Sequence, residues 1–265
     1  MARALEDVGT GHLVVVTGAG ISMASGIPTF RGDDPEAVWR PEVLEKGTYD
    51  FFRRDPVASW SWSLKLFDKI HGTAPNPGHD AVAALGAWHR GRGGTFTLVT
   101  QNIDVLHEAA GSRDPLKVHG TYDRVRCGSP LGCPYGAPDG SIAVDEVDFR
   151  PFIEAPGQGT LPRCQLCGDL IRPHVLWFDE FYADHADYRW DRVQDAHHTL
   201  DALLFVGTSF AVGVTDLFLR AAAQRRPPAF SIDPAGVAPQ SGVTALQARA
   251  ETFLPRVCGH LRIAA

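Results

Sequence analysis

Two groups of residues in this 265-residue chain stand at spacings that suit chemistry. The first is a set of cysteines. Cys164 and Cys167 are separated by two residues and followed by Gly168, a knuckle in which two thiolates can bind one tetrahedral ion. Cys127 and Cys133 lie upstream with five residues between them, a looser pair that alone would say little. Together the four predict one zinc ion per chain. Four protein sulfurs close the coordination sphere, so the metal is expected to hold structure and take no part in catalysis. Cys258 reads as a buried apolar residue. An odd cysteine count without an export signal argues against a disulfide framework.

The second group is polar and scattered. Gly18-Ala19-Gly20 follows the run Val14-Val15-Val16, as in a loop that brings backbone close to a phosphate. A dehydrogenase-type fingerprint would place a third glycine where Met23 stands, and the chain continues instead into Gly-Ile-Pro-Thr-Phe-Arg. Further along come Gln101-Asn102-Ile103-Asp104, His119-Gly120 and Gly207-Thr208-Ser209. Each follows an apolar, β-type stretch.

Those stretches alternate with helical ones. Strands are expected at 14–16, 95–104, 116–120, 171–180, 200–210 and around 229–233. Helices are expected over much of 33–74, at 76–90, 105–111, from 211 through 226, and over 245–261 at the end. Alternation of this kind predicts a parallel sheet covered by helices on both faces, whose ligand crevice lies at the carboxyl ends of the strands. The amides, carboxylate, imidazole and hydroxyls of the second group then converge on one cleft. Residues 123–171 lack a helical period and carry the four cysteines. The aromatics Phe51, Phe52, Trp60, Trp62 and Phe67 are expected to form a helical core.

Composition sets limits. A net charge of -6 argues against non-specific nucleic-acid binding, and no apolar run is long enough to span a membrane. The acid-bearing N-terminus has no signal-peptide character, so a cytoplasmic protein is expected.

The ordered set GAGIS, SGIPTFRG, PNPGH, TQNID, HG, four cysteines, RPHVLWF-E, GTS and RAETFLP resembles the sirtuin (Sir2) family of NAD-dependent protein lysine deacylases, in its bacterial-type catalytic core. The resemblance runs over nearly the whole chain. It implies a discontinuous Rossmann-like domain (1–32, 75–122 and 172–265). It also implies a small domain made of a helical insertion (33–74) and a zinc-binding module (123–171). Gly18, Ala19, Gly20, Ile21, Thr29, Phe30, Arg31, Gln101, Asn102, Ile103, Asp104, Gly207, Thr208, Ser209, Asp233 and Ala250 would then line the NAD site. His119 would be the base that takes a ribose hydroxyl proton, an imidazole titrating near neutrality being suited to that work. Asn102 would position ribose and water. Phe30 and Arg31 would cover the reacting ribose. Val175, Trp177, Phe178 and Glu180 would hold the acyl-lysine protein substrate by strand addition. The histidines other than His119 are expected to be ordinary core or surface residues.

Departures from the family pattern fall at Val105, Asp179 and Asp233, where the family usually has Gly, Gly and Asn. Members that remove succinyl or malonyl groups carry a Tyr-x-x-Arg pair, at whose places stand Ser63 and Leu66. A buried acyl carboxylate without a cationic partner is costly, so acetyl or a longer neutral acyl group is expected. NAD hydrolysis or ADP-ribosyl transfer in the same cleft is the alternative activity.

Overall fold

The computed structural model describes residues 1–29, 41–236 and 242–263. Phe30 and Arg31 lie outside the described residues. Helix α1 (Ala2–Asp7) leads into β1 (His12–Thr17), and α2 (Pro41–Lys46), α3 (Tyr49–Arg54) and α4 (Pro56–Ile70) follow. Next come α5 (Pro77–Gly91), β2 (Thr95–Thr100), α6 (Leu106–Ala109), β3 (Leu116–Lys117), β4 (Gly120–Cys127) and β5 (Ile142–Ala143). The chain continues through α7 (Arg150–Glu154), β6 (Ile171–Val175), α8 (Trp190–Thr199), β7 (Ala202–Val206) and α9 (Gly213–Arg225). It ends with β8 (Ala229–Asp233), β9 (Thr244–Gln247) and α10 (Ala250–His260). Among the described residues no helix is long and apolar enough to cross a membrane.

Six strands form a wholly parallel sheet in the order β3-β2-β1-β7-β8-β9. Every residue of β1 is buried, because both faces are covered. Successive side chains of a strand point to opposite faces. Leu13 and Val15 accordingly join the core beneath α1, α5 and α10, and Val14 and Val16 join the core beneath α8 and α9. Direction of winding reverses between β1 and β7, which sets the crevice beyond their carboxyl ends.

A second, three-stranded sheet has the order β5-β4-β6 and is antiparallel. Its core unites Phe52, Trp60 and Phe67 of the helical insertion with Val125, Phe149, Phe152, Leu161, Ile171 and the metal-site cysteines Cys127 and Cys164. The two inserted segments are therefore one packed unit. The Trp60 indole N–H donates to the Ile171 carbonyl at 2.8 Å, fixing α4 against β6.

Two expectations need correction. Residues 172–175, expected with the parallel sheet, pair with β4, because Arg172, Pro173 and Val175 stand opposite Arg126, Val125 and Gly120 in an antiparallel ladder. The final helix begins at Ala250, since residues 244–247 pair with β8 as an added edge strand.

Candidate active site

The loops after β1 and β7 meet at the winding reversal. Gly18 N–H donates to the Val206 carbonyl at 3.0 Å, and Gly20 N–H to the Gly207 carbonyl at 2.9 Å. A Cβ on Gly20 would lie 2.7 Å from Gly207 Cα, and one on Gly207 would lie 2.4 Å from the Ile21 nitrogen. Gly207 also has φ of +59°, a conformation glycine adopts without strain. These glycines are thus required for loop-to-loop contact. The Gly18 and Gly20 amides, expected to face phosphate, are spent on that contact, and the Gly207 amide bonds the Ile232 carbonyl. Ile21 buries its side chain in the core, so it meets the cleft through backbone alone.

A buried hydrogen-bond frame ties this loop to residues 101–104. Asn76 caps α5 through Gly78 N–H at 2.9 Å and reaches back with its amide to the Ile21 carbonyl at 2.8 Å. His79 accepts the Asn76 backbone N–H on Nδ1, so its Nε2 carries the proton and donates to Ser22 Oγ at 3.4 Å. Ser22 Oγ–H then donates to Asp104 Oδ2 at 2.9 Å and accepts from Asn102 Nδ2 at 3.0 Å. Ser22 and His79 are fully buried, and Asn102 and Asp104 nearly so. Burial lowers the His79 pKa to about 4, so the ring is neutral and this assignment of donors holds. His107 sits edge-on to His79 and bonds Thr17 Oγ1 at 2.9 Å, and Thr17 donates to Thr100 Oγ1. Ser22, His79 and His107 are not among the site residues expected from the sequence, although Ser22 closes the GAGIS motif and His79 closes PNPGH.

Gln101 spans the ends of three strands: its amide donates to the Thr17 carbonyl and to Thr208 Oγ1, each at 3.1 Å. Its own carbonyl faces His119 Nδ1 at 2.8 Å. A carbonyl only accepts, so Nδ1 carries the proton and Nε2 keeps its lone pair. Burial lowers the His119 pKa to about 4, against the opposing effect of Gln101. The ring is therefore a neutral acceptor at pH 7, and its midpoint is well below the neutral value expected from sequence. Gly120 has φ of +76°, and a Cβ there would stand 2.1 Å from the His174 carbonyl. This is why glycine follows the histidine: residues 174–176 run directly against it, with Leu176 N–H donating to the His119 carbonyl at 3.0 Å.

Of the other expected cofactor residues, Thr29, Thr208 and Ala250 are buried, and Asp233 is half-buried at the end of β8 with Oδ1 accepting Ala235 N–H. Ser209 is exposed, and Ile103 packs with Ile27, Leu66 and Tyr122 between the two sheets.

The four residues expected to hold substrate divide into two kinds. Val175 ends β6 opposite Gly120, and Phe178 is 48% exposed with its N–H donating to the Gly47 carbonyl. Glu180, by contrast, is enclosed by Arg172 and Arg126. Arg172 gives it a forked bond whose Nη2 arm is 2.8 Å, and Arg126 Nη2 lies at 3.2 Å. Burial opposes the carboxylate's charge, but Arg172, the Trp177 N–H and Arg126 together outweigh it and the Glu180 pKa is lowered. Glu180 also accepts the Trp177 N–H at 2.9 Å, and the Arg172 guanidinium sits 3.6 Å above the Trp177 ring. Trp177 and Glu180 thus brace the segment from inside. Asp179 accepts from the Tyr49 and Asp50 N–H groups at the start of α3, a capping role that a glycine could not fill.

Cys127, Cys133, Cys164 and Cys167 bring their sulfurs within 4.8 Å of one another, with Cys127–Cys167 at 3.4 Å and Cys133–Cys164 at 3.6 Å. A tetrahedral ion with bonds of about 2.3 Å needs sulfurs roughly this far apart, so the four fit zinc. The loose first pair works because Gly136 N–H bonds the Cys133 carbonyl while the chain turns back to pair with Cys127.

Residues 18–214 match the Sir2 family model. The chain is 38% identical over 251 residues to NAD-dependent protein deacylase 2 of Pyrobaculum aerophilum, covering 93% of this chain and 89% of that one. It is 40% identical over 208 residues to NAD-dependent protein deacylase 1 of Pseudomonas aeruginosa, covering 77% and 75%. Among solved structures it is similar to a Sir2 homologue in complex with ADP-ribose (TM-score 0.80, 32% identity, 98% and 96% covered). A Sir2 homologue in complex with NAD is similar as well (TM-score 0.77, 33% identity, 99% and 94% covered).

Proposed function

The chain belongs to the Sir2 family, and on that premise we propose that it is a cytoplasmic NAD-dependent protein lysine deacylase. It transfers the acyl group of a modified lysine to the ADP-ribose part of NAD, releasing nicotinamide and leaving 2′-O-acyl-ADP-ribose. The observation that carries this reading is His119, held with Nδ1 on the Gln101 carbonyl so that Nε2 is the accepting nitrogen, at the carboxyl ends of the parallel strands.

In this reading the acyl oxygen attacks the ribose carbon as nicotinamide leaves. His119 Nε2 takes a ribose hydroxyl proton, and the Gln101 carbonyl steadies the imidazolium from the other side. Asn102, turned by Ser22, positions ribose and water. Gln101, Ile103 and Asp104 form the wall toward nicotinamide. Gly18, Ala19, Gly20, Ile21, Thr29, Gly207, Thr208, Ser209, Asp233 and Ala250 surround the dinucleotide, with Phe30 and Arg31 added from outside the described residues. The protein substrate lies as an added strand along 175–178, meeting Val175 and Phe178, while Trp177 and Glu180 keep that edge in place. The four cysteines hold zinc as a structural ion. That use of reduced thiolates suits the cytoplasm.

We divide the chain into a dinucleotide domain (1–32, 75–119 and 176–265) and a small domain of 33–74 with the zinc module. The β4–β6 pairing supports moving 120–122 and 172–175 into the small domain. His119→Ala tests the site. The variant should bind NAD with affinity close to the parent and lose acetyl-lysine peptide turnover by more than about a hundredfold. Undiminished turnover would remove His119 from the mechanism.

A further inference from the structure

Tyr182 stands where neither the zinc module nor the dinucleotide loops need it. Its ring stacks on the His119 ring, with centroids 5.8 Å apart and planes 15° from parallel. Its hydroxyl is 3.4 Å from His119 Nε2, the nitrogen that keeps the lone pair. Trp190 also stacks on Tyr182 at 4.4 Å and 12°, which ties the phenol to the start of α8. Val214 N–H, in the first turn of α9, donates to the Tyr182 oxygen at 3.3 Å.

The directions of these bonds follow from counting protons. His119 Nδ1 must donate to Gln101, so Nε2 can only accept. The Tyr182 oxygen already accepts from Val214, so its single proton points to Nε2. One amide, one phenol and one imidazole thus form a directed chain, running Val214 N–H to Tyr182 O–H to His119 Nε2. Tyr182 reaches this place from the segment that follows Phe178 and Glu180. The base is therefore tied to the edge on which the protein substrate is held.

The geometry points to Tyr182 as a positioning residue for the base: its hydroxyl holds Nε2 in an acceptor orientation until a ribose hydroxyl takes that bond over. This rests on the reading of His119 as the base. Phenylalanine keeps the stack with Trp190 and lacks the hydroxyl that donates to Nε2.

The groups bonded to the His119 ring are the Gln101 carbonyl from the end of β2 and the Tyr182 hydroxyl, while the Leu176 amide bonds only the His119 backbone carbonyl. Asp216 of α9 acts on Tyr182 and disfavours its ionisation further, beyond what burial does. The phenol thus stays protonated across the working range. Donation to Nε2 favours the neutral imidazole, so its removal should raise the His119 midpoint.

Tyr182→Phe and His119→Ala are compared with the parent in three measurements on the full-length protein. These are acetyl-lysine peptide turnover with NAD, peptide-dependent exchange of labelled nicotinamide into NAD, and titration of the His119 imidazole by NMR. Expected for Tyr182→Phe are a roughly tenfold loss of turnover, exchange within about twofold of the parent, and a higher His119 midpoint. Parent-like turnover and an unmoved midpoint would overturn the role of Tyr182, with the base reading intact if His119→Ala is inactive. Equal loss of turnover and exchange, with the midpoint unmoved, would also overturn it, because that pattern marks general structural damage. Parent-like turnover in His119→Ala would remove the base itself. The NMR titration reads the folded protein directly, so it decides even where turnover falls for other reasons.

Discussion

His119 Nδ1 lies 2.8 Å from the carbonyl oxygen of Gln101, so the end of β2 dictates which nitrogen of the imidazole is basic. The same Gln101 uses its side chain to join the ends of β1 and β7, and the base is thereby registered against the whole switch point of the sheet.

The pH dependence of activity follows from this placement. Burial lowers the His119 pKa from 6.5 to about 4, and the bond to Gln101 only partly opposes it. The basic form is the neutral one, present above the folded midpoint. A plot of kcat/KM against pH should therefore stay level from neutrality down to about pH 5.5 and fall below that. An acid limb centred on 6.5 would show an imidazole that is not held as described.

Removing zinc should loosen the small domain as a whole. Cys127 and Cys164 belong to the same core as Phe52, Trp60 and Trp177, so the metal site and the α3–α4 insertion share their packing. Cys164→Ser should release the bound ion to a colorimetric chelator and lower the melting temperature by several degrees. One zinc per chain is expected in the parent. A parent protein with no zinc and an unchanged melt after chelation would contradict the assignment.

Glu180→Gln tests the inner brace. The substitution leaves Arg172 and Arg126, both nearly buried, without their carboxylate partner. Breaking a buried pair in this way costs about 3–5 kcal/mol. Urea unfolding should show the loss, with a lowered midpoint. A change below about 0.5 kcal/mol would return Glu180 to the role of a simple surface contact.

Acyl preference should be for neutral groups. Ser63 is buried, its hydroxyl spent on the Ser59 carbonyl, and Leu66 packs with Ile27, Ile70 and Leu106 at the junction of the two sheets. Neither offers a charge to a distal carboxylate. At equal NAD, acetyl-lysine peptide should turn over at least about tenfold faster than succinyl-lysine peptide. Leu66→Arg should narrow that ratio. Faster release of succinyl by the parent would refute the reading.

Much of the architecture was readable in the residues themselves. The wholly apolar 14–16 run marks a strand buried on both faces, and the polar residues at the ends of 95–104, 116–120 and 200–210 mark the crevice. The cysteine spacing marks the metal module. What periodicity does not carry is partnership. A short apolar strand such as 171–175 looks the same whichever sheet it joins, and only the bonds to β4 decide. Residues 244–247 form an edge strand with little burial, so they lack the apolar signature of their neighbours. Glu180 is expected from the resemblance to meet substrate; the arginines that enclose it come from β4 and β6, far from it in sequence. The roles of Tyr182 and His79 are hidden in the sequence for a related reason, although His79 closes the PNPGH motif. Each is a common residue whose meaning arises from a partner far along the chain, at His119 and Ser22 respectively.

The central claim is acyl transfer to NAD, and product identity tests it most directly. The purified protein is incubated with an acetyl-lysine peptide and NAD, and the products are followed by mass. The account predicts nicotinamide, deacetylated peptide and 2′-O-acetyl-ADP-ribose in equal amounts, formed only when peptide and NAD are both present. ADP-ribose appearing at the same rate without peptide, with the peptide left acetylated, would contradict it.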